Sequence, residues 1–125
     1  MKPLGADFIY YEVSDLKKSV EFYRDVLGLR LLSMEEKYHW AEFDVPPTTL
    51  ALYAPLGMLK RPPQTGGAGI AIAVPSVEEA VEELKSKGVQ VDFGPFETEV
   101  CHMAFFRDPD GNSVGLHHRK VGTVG

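Results

Sequence analysis

The order of apolar and polar positions divides the chain into two halves that repeat the same succession of patterns. Residues 8–13 (FIYYEV) and 69–74 (GIAIAV) are short apolar-rich runs that read as strands. Each run leads into a helical period. In the first half Leu16, Val20, Tyr23 and Leu27 recur at helical spacing, with Ser14 or Asp15 as cap and Gly28 as stop. In the second, Ser76 and Glu79 form a capping box ahead of an apolar stripe of Val77, Ala80, Val81 and Leu84. Lys85 and Lys87 suit the negative end of that helix, and Gly88 ends it. Three strand-like runs follow each helix, at 29–34, 39–44 and 49–54, then at 89–93, 101–107 and 113–118. DPDGN (108–112) is a tight turn by composition, and Pro46-Pro47 occupies the equivalent bend.

The two halves also match residue by residue. Ile9, Val13, Val20 and Glu21 correspond to Ile70, Val74, Val81 and Glu82. After a one-residue slip, Gly28, Leu29 and Leu31 correspond to Gly88, Val89 and Val91. Further on, WAEF (40–43) pairs with MAFF (103–106), and LAL (50–52) with VGL (114–116). An internal repeat of this kind makes each half one supersecondary unit. The expected fold is α+β: a single domain over 1–125, with one βαβββ module at 7–58, a Pro- and Gly-rich connector at 59–67, and a second module at 68–120.

Composition narrows the function. The net charge of −5 argues against nucleic acid as partner, which calls for a basic face to displace counterions from phosphates. The single cysteine, Cys101, excludes an intramolecular disulfide and a cysteine-rich metal cluster, and reads as a buried thiol. The first residues hold no signal-peptide core or cleavage pattern, and no apolar run approaches the roughly 20 residues of a membrane span. The expectation is a soluble, cytoplasmic protein with no membrane partner.

The segments SDLKKSVEFYRDVLGL (14–29) and FRDPDGNSVGL (106–116), together with the repeat, resemble the vicinal oxygen chelate superfamily. That group includes glyoxalase I, bleomycin-resistance proteins, extradiol dioxygenases and fosfomycin-resistance enzymes. The resemblance implies paired modules that form an incompletely closed, barrel-like sheet around a cavity, in a homodimer. It also implies a His, Gln or Glu on each of four strands to hold a divalent metal. Carried onto this chain, those positions are Phe8, Ala51, Gly69 and Gly115, none of which ligates through its side chain. No metal and no other cofactor are therefore expected. A relocated site would have to draw on Glu12 and His117, with His102 as a third ligand.

Strand alternation puts Phe8, Tyr10 and Glu12 on one face, with Ala51 and Tyr53 in the first module and Gly69, Ala71, Gly115 and His117 in the second. Small residues then form a floor and aromatic residues form walls, to which Trp40 adds if its strand faces the same way. Such a pocket suits an aromatic or cationic small molecule, held by stacking and apolar burial with Glu12, Glu42 or His117 as polar contacts. Among the superfamily this looks most like the metal-free, drug-sequestering bleomycin-resistance proteins. The alternative is a glyoxalase- or dioxygenase-type enzyme, with a relocated metal or with His102 or His117 as acid–base group. Plainer readings stand beside both. The aromatics can fill a core, Gly69 and Gly115 can mark close backbone approach, and the acids of DPDG can be purely structural.

Overall fold

The computed structural model describes residues 1–4 and 6–124, the side chain of Met58 excepted. The chain divides into two compact units, Met1–Thr65 and Gly66–Gly125. In the first, β1 (Ile9–Glu12) is followed by α1 (Leu16–Glu21), β2 (Arg30–Glu35), β3 (Trp40–Val45), β4 (Thr48–Tyr53) and the short α2 (Pro55–Leu59). In the second, β5 (Ile70–Ala73) is followed by α3 (Val77–Ser86), β6 (Val91–Glu97), β7 (Cys101–Arg107) and β8 (Ser113–Arg119). The sheet orders are β1-β4-β3-β2 and β5-β8-β7-β6, each with one parallel pair at the edge and two antiparallel pairs. The repeat in the sequence is thus a repeat of topology, and the fold is α+β.

Helices α1 and α3 start where a side chain can cap them. Asp15 is extended, and its carboxylate accepts from Lys18 N at 3.1 Å; Ser76 Oγ accepts from Glu79 N at 3.2 Å. The stripe Leu16, Val20 and Tyr23 is buried, and so is Val77, Val81 and Leu84 in the second unit. Tyr23 meets Tyr11 (ring centroids 6.3 Å apart) and Phe43 (5.9 Å) on the helix-side face of the first sheet. Ladder partners of those residues, Leu50 and Leu52, are fully buried.

Three departures from the sequence pattern have local causes. The first helix does not run regularly to Leu27; after Glu21 it widens into a π-helical turn, Phe22–Val26, closed by Leu27 N donating to Phe22 O at 3.1 Å. α2 has five residues, too few to show a period. Strand β6 runs past the Gly-Pro pair at which the sequence pattern stops, because the ladder is irregular between Phe93 and Phe96. Gly94 sits there at φ +90°, and a Cβ on it would lie 2.7 Å from Met103 O, so only glycine serves. Among the described residues no helix is long and apolar enough to cross a membrane.

The DPDGN turn is held from inside by its first acid. Asp108 is 5% exposed; its Oδ1 accepts from Asp110 N and Asn112 N, and its Oδ2 from Asn112 Nδ2 at 3.0 Å. Asp108→Ala strands these donors and is expected to cost about 2–3 kcal/mol in urea unfolding.

Candidate functional site

The ladder of the first sheet sorts its side chains into two faces. Across β1, β4 and β3, Glu12 lies opposite Tyr53 and Tyr53 opposite Trp40; the next row is Tyr10, Ala51 and Glu42. These residues share the face turned away from α1, since Tyr11, Leu52 and Ala41 alternate with them. Rings gather here. Trp40 lies 5.2 Å from Phe8 at 82°, 5.8 Å from Tyr53 and 6.5 Å from Tyr10, and Phe8 and Tyr10 are 6.3 Å apart. Phe8 is 42% and Tyr10 56% exposed, so this cluster presents ring surface outward and does not fill a core. Trp40 Nε1 donates to Glu42 Oε2 at 2.8 Å.

Two residues read from the sequence as lining this site play other parts. Ala51 is fully buried between Tyr10 and Glu42, so it offers a ligand no surface. Glu12, 8% exposed, is committed to the segment after α2. Its two oxygens accept from Arg61 Nη1 and Nη2, both at 2.7 Å, and Oε1 also accepts from Gln64 N at 2.8 Å. The bidentate guanidinium outweighs the cost of burial and holds the carboxyl down to about 2. Glu12 is a bracket for that segment.

In the second unit the small residues differ: Gly69 and Ala71 are exposed, and Gly115 is buried. A Cβ on Gly69 would lie 2.7 Å from Ser113 O, so this glycine marks a close backbone approach. A Cβ on Gly115 would meet Phe105 Cε1 at 3.1 Å, because the cross-strand ring covers the glycine. Phe105 belongs to a second group of rings that the sequence pattern did not show: Phe96 is 6.5 Å from it and Phe93 5.0 Å from Phe96. Phe93, 61% exposed, pairs with Phe105 only through the irregular part of β6, where the sequence signals a break. The alternation of Met103 and Phe105 was the legible part of that signal.

The histidines divide between the two faces of this sheet. His117 is half-buried on the face of Gly115 and borders hollows of about 440 Å³, with Cys101 and Arg119, and about 330 Å³, with Ala73. His102 lies opposite His118 on the other face, where α3 packs. Its Nδ1 is 2.8 Å from Glu78 Oε1, and His118 Nδ1 donates to Val74 O at 3.1 Å. His102 therefore does not join His117 in one acid–base or metal site. Cys101 is buried, with Sγ 3.3 Å from Thr98 Oγ1.

The sequence pattern of the Glyoxalase/Bleomycin resistance protein/Dioxygenase superfamily matches residues 6–116. The chain belongs to this superfamily. It is 33% identical to the lactoylglutathione lyase of Escherichia coli O157:H7 over 118 residues, 86% of this chain and 87% of that one. It is also 33% identical to lactoylglutathione lyase GLX1 of Arabidopsis thaliana over 121 residues, 89% of this chain, and spans 43% of that longer relative. Among solved structures it is similar to TnmS3, an antibiotic binding protein from Streptomyces sp. CB03234, with 27% identity, a TM-score of 0.73, and coverage of 95% of this chain and 100% of that one.

The metal that the superfamily resemblance implies does not fit these residues. Phe8, Ala51, Gly69 and Gly115 carry no donor, the last two are crowded by Ser113 O and the Phe105 ring, and no set of three or more His, Cys, Asp or Glu among the described residues converges to hold an ion. Placing a side chain at Gly69 forces the Ser113 carbonyl to move. Gly69→Ala is accordingly expected to lower stability by about 1–3 kcal/mol in thermal or urea unfolding.

The bracket at Glu12 has a pH signature. Its folded value lies below the ordinary 4.5, so its contribution is complete above pH 4.5 and is lost as pH falls towards 2. Arg61→Met leaves a nearly buried carboxylate without its cation and is expected to cost about 2 kcal/mol at pH 7. The gap between variant and wild type in urea unfolding then narrows from pH 4.5 downward.

Proposed function

We propose that this protein binds a planar aromatic small molecule on the ring face of its first unit and sequesters it without turnover and without a metal. The observation that carries this reading is the cluster of exposed Phe8 and Tyr10 with half-buried Trp40 and Tyr53, on a sheet face turned away from the helix. Ring faces and edges attract a flat guest by offset stacking and edge-on contact, and burying apolar area adds to this. No chemical step is required of these residues. The likeness to an antibiotic binding protein supports the reading.

A second reading, lactoylglutathione lyase activity, is favoured by the 33% identity to proteins of that name over most of this chain. It needs metal donors that Phe8, Ala51, Gly69 and Gly115 do not supply.

Trp40 is the single tryptophan, so its emission reports on the proposed face directly. Titration with acridine-type planar aromatics is expected to change that emission saturably and to raise the melting temperature. Tyr10→Ala is expected to weaken binding about tenfold, equivalent to about 1.4 kcal/mol. Protein purified without a chelating tag and incubated with Zn or Ni is expected to hold well under one equivalent and to show no lactoylglutathione lyase activity. Stoichiometric metal together with that activity establishes the second reading instead.

A further inference from the structure

The carboxylates on the ring face sort by partner. Glu12 is closed by Arg61 and Gln64 N. Asp44, on the same face of β3, is engaged by Arg30 Nη2 at 2.8 Å. Glu42 differs from both. Among the described residues its hydrogen-bond partner is the neutral indole of Trp40, and it takes part in no ion pair. It is half-buried, and Ala51 beside it in the ladder lies between it and Tyr10.

We propose that Glu42 makes the ring face select a planar aromatic cation over its uncharged isostere; the inference rests on the ring-face reading above. The indole N–H fixes one carboxylate oxygen at the edge of the cluster, and leaves the other to face a guest stacked on the rings. A delocalised positive charge gains twice there, from the negative faces of Phe8, Tyr10 and Tyr53 and from the Glu42 carboxylate. Part-burial keeps water from screening that attraction fully. The same carboxylate repels an anionic guest, and a neutral ring system gains only the stacking. Glu12 does not contribute, because its charge is already matched by a bidentate guanidinium. Of the polar contacts the sequence offers in this unit, Glu42 is thus the one that sets charge preference.

The test is calorimetric titration with N-methylacridinium and neutral acridine at pH 8, for wild type, Glu42→Gln and Trp40→Phe, with circular dichroism to check each fold. Wild type is expected to bind the cation about tenfold more tightly than acridine. Glu42→Gln is expected to lose about that factor for the cation and to keep acridine within about twofold. Trp40→Phe keeps a ring but removes the N–H that orients Glu42, so it is expected to reduce the ratio of the two affinities. Equal affinities in wild type, or an equal loss of both ligands in Glu42→Gln, overturn the role of Glu42 while the ring-face reading stands. If neither compound binds wild type, the ring-face reading falls and this inference falls with it.

Discussion

Everything distinctive about the first unit depends on the register of one parallel ladder. Glu12 stands opposite Tyr53 and Tyr10 opposite Ala51, and β3 continues both rows with Trp40 and Glu42. Because successive strand residues face opposite sides, a slip of one position would exchange the ring face for the helix face. Tyr11, Leu50, Leu52 and Phe43 would then lose Tyr23, and the exposed rings would be driven against α1. The buried pairs Tyr23–Tyr11 and Tyr23–Phe43 therefore fix where Trp40 and Glu42 point. Packing on one side of the sheet sets the chemistry of the other.

The same separation explains which features could be read from the chain. Caps, stops and turns are local, so Asp15, Ser76 with Glu79, and DPDGN name their own structures within a few residues. Alternation placed Phe8, Tyr10, Glu12 and Tyr53 on one face and left open the direction of Trp40 and Glu42, which the pairings with Tyr53 and Ala51 settle. What the pattern could not show depends on distant partners. Arg61 reaches Glu12 across 49 positions, and no property of either residue alone announces it. The ring of Phe105 over Gly115 is a cross-strand event, and the path of β6 past Gly94 depends on the backbone of Met103. These are the places where Ala51 and Gly115 prove covered and Glu12 proves to be ion-paired.

Glu12 and Glu42 show how little residue type alone decides. Both are carboxylates on one sheet face, two ladder positions from the same aromatic residues. One carries a bidentate guanidinium and a backbone N–H, which spend its charge on holding the segment after α2 in place. The other carries a single neutral donor, which orients the group without cancelling its charge. Two like side chains thus differ by the cation that one of them captures, and only the other keeps an unmatched charge for the proposed recognition role.

The 33% identity to a lactoylglutathione lyase and the lack of metal donors at Phe8, Ala51, Gly69 and Gly115 are compatible. What shapes the two βαβββ units is spread along the chain: capped helices, a stripe such as Leu16, Val20 and Tyr23, and the Asp108 turn. Four positions make up a metal site, and they weigh almost nothing in such a figure. Here two of them are glycines whose vacant side-chain space is taken by a backbone carbonyl and by a phenyl ring. New donors at Gly69 and Gly115 would therefore meet Ser113 O and Phe105 before they met a metal. The fold by itself does not dictate the guest, which is inferred from the rings and the charge on the face of the first sheet.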